Sequence, residues 1–369
     1  MSKPRYKILF LSNIPSPYRV AFFNRLGQLC DLTVLYQLHA SSERDKAWTA
    51  AADGTFQEVF LPGKATDVDK ALCPGVISWL EKPWDAIIIH GNSSPTEILA
   101  VAWCKLRRIP YILEGDGAFV GGGTGVKERI KGLTIGGADR YFSTCQELDN
   151  YYLHYGAKPE RIRRYRFSSL TEEDILPRCA SQEEKKTLRR KLGIREGRMI
   201  LTIGQFIHRK GIDLLLEAVK ELDPAVGVYI IGGTPGEAYL RFVREQALGQ
   251  VHFVPFQPKE ALKEYYMAAD LFVLPTREDI WGLVVNEAMA CGLGVISTDR
   301  CNAALELIRS GKNGFLVPVE NVPALGDAIK EALPRCQELG RQALETIRPY
   351  TVTAMANDHI RLIGELLNR

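Results

Sequence analysis

Short apolar runs alternate with amphipathic, helix-forming stretches along this chain, and they do so in two separate series. In the first half, residues 6–11, 32–36, 86–90, 111–113 and 140–143 read as buried strands. Helical runs at 20–29, 94–107 and 145–155 stand between several of them. In the second half the strand-like runs are 199–203, 226–231, 251–254, 271–274, 294–297 and 314–317. A strand followed by a helix, repeated, can bury both faces only by building a parallel sheet with helices on each side. Two such series predict two Rossmann-like α/β domains, at 1–170 and 171–350. A length of 369 residues agrees, because single cores stop growing below that size. The segment 167–197 holds Pro177 and the charge-dense stretch 183–190, and reads as a linker followed by the first helix of the second domain. A last helix, 353–368, follows Pro349 and places Met355, His359, Leu362 and Leu366 on one stripe.

Composition narrows the class. An apolar fraction of 46% with 25% charged residues is ordinary for a soluble globular protein. Eight scattered cysteines form no CxxC and six histidines no paired spacing, so the thiols read as reduced and buried rather than as a disulfide frame or a zinc site. Lys3, Arg5 and Lys7 precede an apolar run too short for a signal peptide, and nothing approaches a membrane span. A cytoplasmic location is expected. The net charge is +3, with the positive excess in residues 1–170, around 105–108, 127–131 and 161–166. A basic face suits an anionic acceptor or the inner surface of an acidic membrane. No basic stretch is interleaved with aromatics, so nucleic acid is not expected as a partner.

Two loops of the second half carry the chemistry. The strand 271–274 closes at Pro275, and Arg277-Glu278-Asp279 leads through Ile280-Trp281-Gly282-Leu283 into a helix bearing Glu287. Gly282 can open that helix and Gly292 can cap its end. A strand, a loop and a helix start make an anion site, because unpaired backbone N–H groups converge there. Asp279 can accept hydrogen bonds from one set of hydroxyls, and Glu287, about one and a half turns into the helix, from another. That pattern suits a sugar joined to a ribose through a diphosphate. The strand 199–203 runs into Gly204-Gln205-Phe206-Ile207-His208-Arg209-Lys210-Gly211 and a further helix. Glycine at both ends permits a tight turn and close approach to a ligand. Lys210 supplies a point charge for a diphosphate, and Arg209 a planar fork of donors. Gly232, Gly233 and Gly236 punctuate the turn after the next strand, but the full G-x-G-x-x-G of a dinucleotide site is absent.

The Asp279–x7–Glu287 block resembles the acidic–x7–Glu signature of the retaining, nucleotide-sugar-dependent glycosyltransferases of family 4, which have the GT-B fold. The resemblance implies two Rossmann-like domains facing a central cleft, with the last helix crossing back to the first domain, so that 351–369 join 1–170. It implies that Asp279 contacts the transferred sugar, Glu287 the ribose, and the Trp281, Gly282 and Leu283 amides the phosphates. The family usually has Glu where Asp279 stands, so Glu278 is an alternative sugar contact. The loop 204–211 is similar to the family's Gly-Arg-Leu-x3-Lys-Gly loop: Lys210 matches, Gln205 replaces the arginine, and Arg209 is the alternative cation. By the same resemblance, Gly204 and Gly233 approach the donor, and Phe256 lies where the base is held, uracil and guanine remaining open. The first domain is expected to bind the acceptor. Glu114 and Asp116 occupy a strand end that often carries a histidine in the family, and either can accept an acceptor proton. Arg19, in a 13–19 segment resembling the start of some members, can reach an anion.

The reaction so implied moves a sugar from a UDP- or GDP-sugar to a hydroxyl of a glycan or lipid-linked glycan, as in polysaccharide or glycolipid synthesis. It needs no cofactor beyond the donor substrate and no metal, with Lys210, Asp279 and Asp116 as the catalytic set. The alternatives are a GT-B sugar-nucleotide epimerase and a non-catalytic sugar-nucleotide-binding partner of a polysaccharide-assembly complex.

Overall fold

The computed structural model describes residues 5–40, 52–123 and 125–367. Thr124 of the glycine-rich loop and Asn368 of the last helix therefore lie outside the described residues. The chain divides into two compact units, Met1–Ser169 with Tyr350–Arg369, and Leu170–Pro349.

The first unit holds β1 (Lys7–Ser12), β2 (Asp31–Tyr36), β3 (Gln57–Phe60), β4 (Lys64–Asp67), β5 (Lys70–Leu72), β6 (Ala86–His90), β7 (Ile112–Glu114), β8 (Arg140–Ser143) and β9 (Ile162–Arg164). Seven of these make one sheet in the order β3-β2-β1-β6-β7-β8-β9, every neighbouring pair parallel. The hairpin β4–β5 stands apart. The expected strands are present, with bounds moved by a residue. β3, β4, β5 and β9 were not expected, because Gln-Glu-Val-Phe, Lys-Ala-Thr-Asp, Lys-Ala-Leu and Ile-Arg-Arg carry too few apolar residues to read as buried runs. The helix Val352–Leu367 belongs to this unit and packs on the helix Pro17–Gly27. It buries Met355, His359 and Leu362 as expected, and Ile363, whereas Leu366 stays partly exposed. Arg166 grips it through a forked pair to Asp358, both bonds 2.8 Å.

The second unit holds β10 (Arg198–Ile203), β11 (Val226–Ile231), β12 (Val251–Val254), β13 (Leu271–Leu274), β14 (Gly294–Thr298) and β15 (Gly314–Val317). They form a parallel sheet in the order β12-β11-β10-β13-β14-β15. Its core of Ile200, Val228, Ile230, Leu271, Val273 and Ile296 is closed by Leu215, Ile329 and Leu339 from the helices. The charge-dense 183–190 stretch lies in the helix Gln182–Lys191, but it is not a solvated surface throughout. Lys185 and Arg189, four residues apart and so on one face, bury their ends against Asp270, Arg189 at 2.6 Å and Lys185 at 3.4 Å. Asp270 also accepts from the Met199 amide, which ties this helix to the start of β10.

In each sheet the strand order reverses once, between β1 and β6 and between β10 and β13. Loops leaving the carboxyl ends of such a pair diverge and open a crevice, the usual ligand position in open α/β sheets. Asn13–Arg19 follows β1 and His90 ends β6; the 204–211 and 275–282 loops follow β10 and β13.

Candidate active site

In the second unit, the loops after β10 and β13 are stitched together. Gly211 adopts φ +66°, and a Cβ there would lie 2.0 Å from the Pro275 carbonyl oxygen, so only glycine allows the loops to touch. Arg277 donates a forked pair to Asp213 at 2.8 and 2.6 Å, a third bond to Glu320 at 2.9 Å and a fourth to the His208 carbonyl at 2.8 Å. Asp213 foremost, and Glu320 after it, raise the Arg277 pKa further, and the guanidinium lowers that of Asp213. Thr276 and the Arg277 amide both donate to the Arg209 carbonyl.

The result is a close pair between the two motifs: Lys210 Nζ lies 2.5 Å from Asp279 Oδ2, with both side chains mostly buried. The Lys210 stem runs beside Gly204. Arg209 turns the same way, donating to the Glu278 carbonyl at 2.9 Å and standing 3.9 Å from Asp279 Oδ1, at a more exposed position. Glu278 is drawn aside to Arg300 at 3.0 Å, so Asp279 rather than Glu278 faces Lys210. Gln205 is exposed on the loop.

Behind Asp279, the Trp281 indole is buried and donates to Asn286 at 3.0 Å, while its carbonyl accepts from the Ala303 amide and the Cys301 thiol. What Trp281 can offer a ligand is backbone, not its ring. Gly282, at φ +97°, opens the helix Leu283–Ala290, and a Cβ on it would come within 2.7 Å of Cys301 Sγ. Glu287, on that helix, accepts from the Tyr266 hydroxyl at 2.9 Å. Its burial pushes the carboxyl up to about 6, against the hydrogen bond from Tyr266. Its hydrogen-bond partner is thus distinct from the Lys210–Asp279 pair. Gly233 has φ +121° after β11, and Phe256 is exposed after β12.

In the first unit, Arg19, Glu114 and Asp116 come together, as one buried cluster. Arg19 donates to Glu114 Oε1 at 2.9 Å and pairs closely with Asp116 Oδ1, and its second amino group lies 2.9 Å from His90 Nδ1. Phe10, Tyr18 and Phe167 enclose the guanidinium at 5.6–5.8 Å. Glu114 Oε2 meets His359 Nε2 at 2.9 Å, and Tyr165 donates to Oε1 at 3.3 Å. Burial would raise the Glu114 pKa, but His359, the hydrogen bonds from His359 and His90, and Arg19 together hold it well below the carboxylate range. Burial and then Asp116 push the Tyr18 hydroxyl up, and that hydroxyl donates to Asp116 Oδ2 at 3.0 Å. Asp116 keeps 18% of its side chain exposed, whereas Glu114 and Arg19 keep 0 and 1%.

Glu114 and Arg19 are buried and bonded to each other and to internal partners, whereas Asp116 retains a solvent-facing edge. His90, Glu114 and Asp116 approach closely enough to share a cation, and the Arg19 guanidinium sits among them, bonded to all three.

Sequence reasoning missed His90, Tyr18 and the bond of His359 to Glu114, along with Arg277, Asp213, Arg300 and Tyr266. His90 had a legible signal, a polar residue closing the run Ala-Ile-Ile-Ile at a carboxyl strand end. His359 had none, because a histidine on an apolar helical stripe reads as core.

Residues 184–344 match the family described as glycosyl transferases group 1. Among similar proteins, a D-inositol 3-phosphate glycosyltransferase of Streptomyces bingchenggensis is 28% identical over 265 residues, which is 67% of this chain and 54% of that protein. The chain thus spans about half the length of that relative. Among solved structures, the sucrose-phosphate synthase (tll1590) of Thermosynechococcus elongatus superposes with a TM-score of 0.75 at 19% identity, covering 99% of this chain and 100% of that one. Anabaena Alr3699/HepE in complex with UDP gives 0.77 at 16% identity, covering 97 and 100%. The fold, the motif pair at the β10–β13 reversal and the family match agree: residues 184–344 are similar to the glycosyl transferases of group 1, and the two parallel α/β units have the GT-B fold.

Proposed function

We propose that this protein transfers a sugar, with retained anomeric configuration, from a UDP- or GDP-sugar to a hydroxyl of a glycan or lipid-linked glycan. One observation carries the reading: the Lys210–Asp279 pair, built where β10 and β13 diverge and beside the helix start at Gly282. As the bond from the sugar's anomeric carbon to the diphosphate breaks, negative charge grows on the departing oxygen. Lys210, with Arg209 at its rim and the amides at the helix start, stabilises that charge without having to reorganise. Asp279 holds the sugar hydroxyls, and Glu287, when ionised, accepts from the ribose. Asp116 accepts a hydrogen bond from the attacking hydroxyl. The new bond forms on the face that the diphosphate leaves, and the hydroxyl proton departs with the diphosphate oxygen.

The partner surface we propose is an anionic membrane. The helix Val126–Ile135 exposes Val126, Ile130 and Leu133 at helical spacing, with Arg129 exposed between them. Exposed Leu106, Arg107 and Arg108 end the adjoining helix, whose Lys105 reaches the Leu133 carbonyl. Apolar side chains flanked by cations suit an interface of acyl chains and anionic headgroups. Among the described residues no helix is long and apolar enough to cross a membrane, so the contact proposed is peripheral, at the cytoplasmic face.

The test is turnover of UDP- and GDP-sugars by the purified chain, with the products identified. Release of nucleotide diphosphate that Lys210→Ala slows at least about 100-fold supports the reading. Conversion of the donor to an epimer, or binding without turnover, overturns it.

A further inference from the structure

We infer that His359, on the terminal helix, is a positioning residue for Asp116, acting through Glu114 and Arg19. The inference rests on the reading of Asp116 as the group that meets the acceptor.

The chain of contacts is continuous. His359 has acceptors at both ring nitrogens, the Met355 carbonyl at 2.8 Å from Nδ1 and Glu114 Oε2 at 2.9 Å from Nε2. A carbonyl oxygen can only accept, so Nδ1 carries a proton; the Nε2–Oε2 bond needs a second proton, held between the imidazole and the carboxyl group. Both bonds exist together only when the His359–Glu114 pair holds a proton between Nε2 and Oε2 as well as the one on Nδ1. The rings of Phe22, Phe142 and Tyr165, at 4.7, 5.4 and 4.5 Å between centroids, leave the imidazole no other orientation to adopt without disturbing the core. Glu114 is therefore held at one oxygen by His359 and at the other by Arg19 and Tyr165. Arg19, so fixed, spends its second amino group on Asp116 and His90. Tyr18 takes the other Asp116 oxygen.

The charges explain why the far end of this chain matters. Two acids, Glu114 and Asp116, share the Arg19 guanidinium, with His359 on the far oxygen of Glu114 and the His90 ring 3.6 and 3.7 Å from the two acids. In an environment with almost no water each charge needs its partner. Without His359, Glu114 has Arg19 and the more distant His90 ring left to draw on, and Arg19 is the group that orients Asp116. Arg19 would settle on Glu114, and Asp116 would lose its anchor while keeping the Tyr18 bond and the His90 contact at 3.7 Å. The histidine lies 245 positions from Glu114 in sequence, and it reaches the cluster because the terminal helix packs within the first unit.

The test separates positioning from anchoring of the helix. His359→Leu removes both donors, and His359→Gln keeps one that can reach Glu114. Asp358→Asn breaks the Arg166 fork on the same helix without touching the cluster. For the full chain, kcat and KM are measured with UDP-glucose and GDP-mannose, and thermal stability is measured alongside. We expect His359→Leu to lower kcat at least tenfold with donor KM within twofold of the parent, because donor contacts belong to the other unit. His359→Gln should recover most of the loss, and Asp358→Asn should lower stability with kcat intact. An unchanged kcat in His359→Leu, or an equal loss in Asp358→Asn, overturns the inference. A crystal structure of the best-folded His359 variant decides the point independently of turnover. Arg19 withdrawn from Asp116 supports the inference, and an unmoved Asp116 refutes it. If the parent turns over no nucleotide sugar, the proposed function fails while that crystal structure still judges the positioning.

Discussion

Replacing Glu287 with glutamine should stabilise the second unit at neutral pH while weakening its hold on a nucleotide sugar. The carboxyl stands at about 6 instead of its ordinary 4.5, because burial disfavours the ionised form. The folded state therefore binds this proton more tightly than the unfolded chain does. Stability is greatest at or below pH 4.5, falls as pH rises through the window from 4.5 to 6, and stays lowered above it. The gap corresponds to about 2 kcal/mol at pH 7.5. Glutamine keeps an oxygen to accept from Tyr266 and carries no charge, so it should recover up to that amount at pH 7.5 and almost none at pH 4. Native-state hydrogen exchange at β10 and β13 reads the opening of this unit alone, which a whole-chain melt of two units would blur. A variant no more stable than the parent at pH 7.5, or one whose gain is the same at both pH values, would refute the burial argument. Donor affinity should fall in the same variant, and unchanged affinity would remove Glu287 from the ribose contact.

Gly211→Ala should cost about 3 kcal/mol or more, since a left-handed backbone and a carbonyl 2.0 Å from the new methyl both oppose it; a denaturant midpoint equal to the parent's would sink the close-approach argument. Glu114→Gln strips the buried Arg19 of a counter-charge and should destabilise the first unit by about 3 kcal/mol, measured by urea unfolding. Vesicles rich in phosphatidylglycerol should sediment the protein and phosphatidylcholine vesicles should not. Leu133→Glu should abolish the difference, and equal sedimentation of parent and variant would reject the membrane surface.

Much of this architecture was legible because parallel strands buried on both faces must be continuous apolar runs, and runs such as Ala86–His90 or Val226–Ile231 have no other reading. β9, Ile-Arg-Arg, was invisible because an edge strand needs neither apolar face nor length. The Lys210–Asp279 pair could be foreseen, since both residues sit a fixed few positions beyond strand ends that the fold brings side by side. The first-unit cluster could not. Arg19 read as a cation able to reach an anionic ligand, and only the packing of Phe10, Phe167 and the terminal helix turns it inward. Likewise the Asp270–Arg189–Lys185 group was hidden, because helical spacing alone does not say which charged face a helix buries.

The four bonds of Arg277 have a consequence for how such a protein can diversify. They clamp the loops after β10 and β13 from behind, so in the proposed reaction the grip on the leaving group does not depend on the side chains at the rim. Gln205 and Phe256, exposed at loop tips, can then be exchanged with little penalty to folding. A lineage built on this frame can wander among donors by changing its tips, and the clamp keeps the anion chemistry constant while it does so.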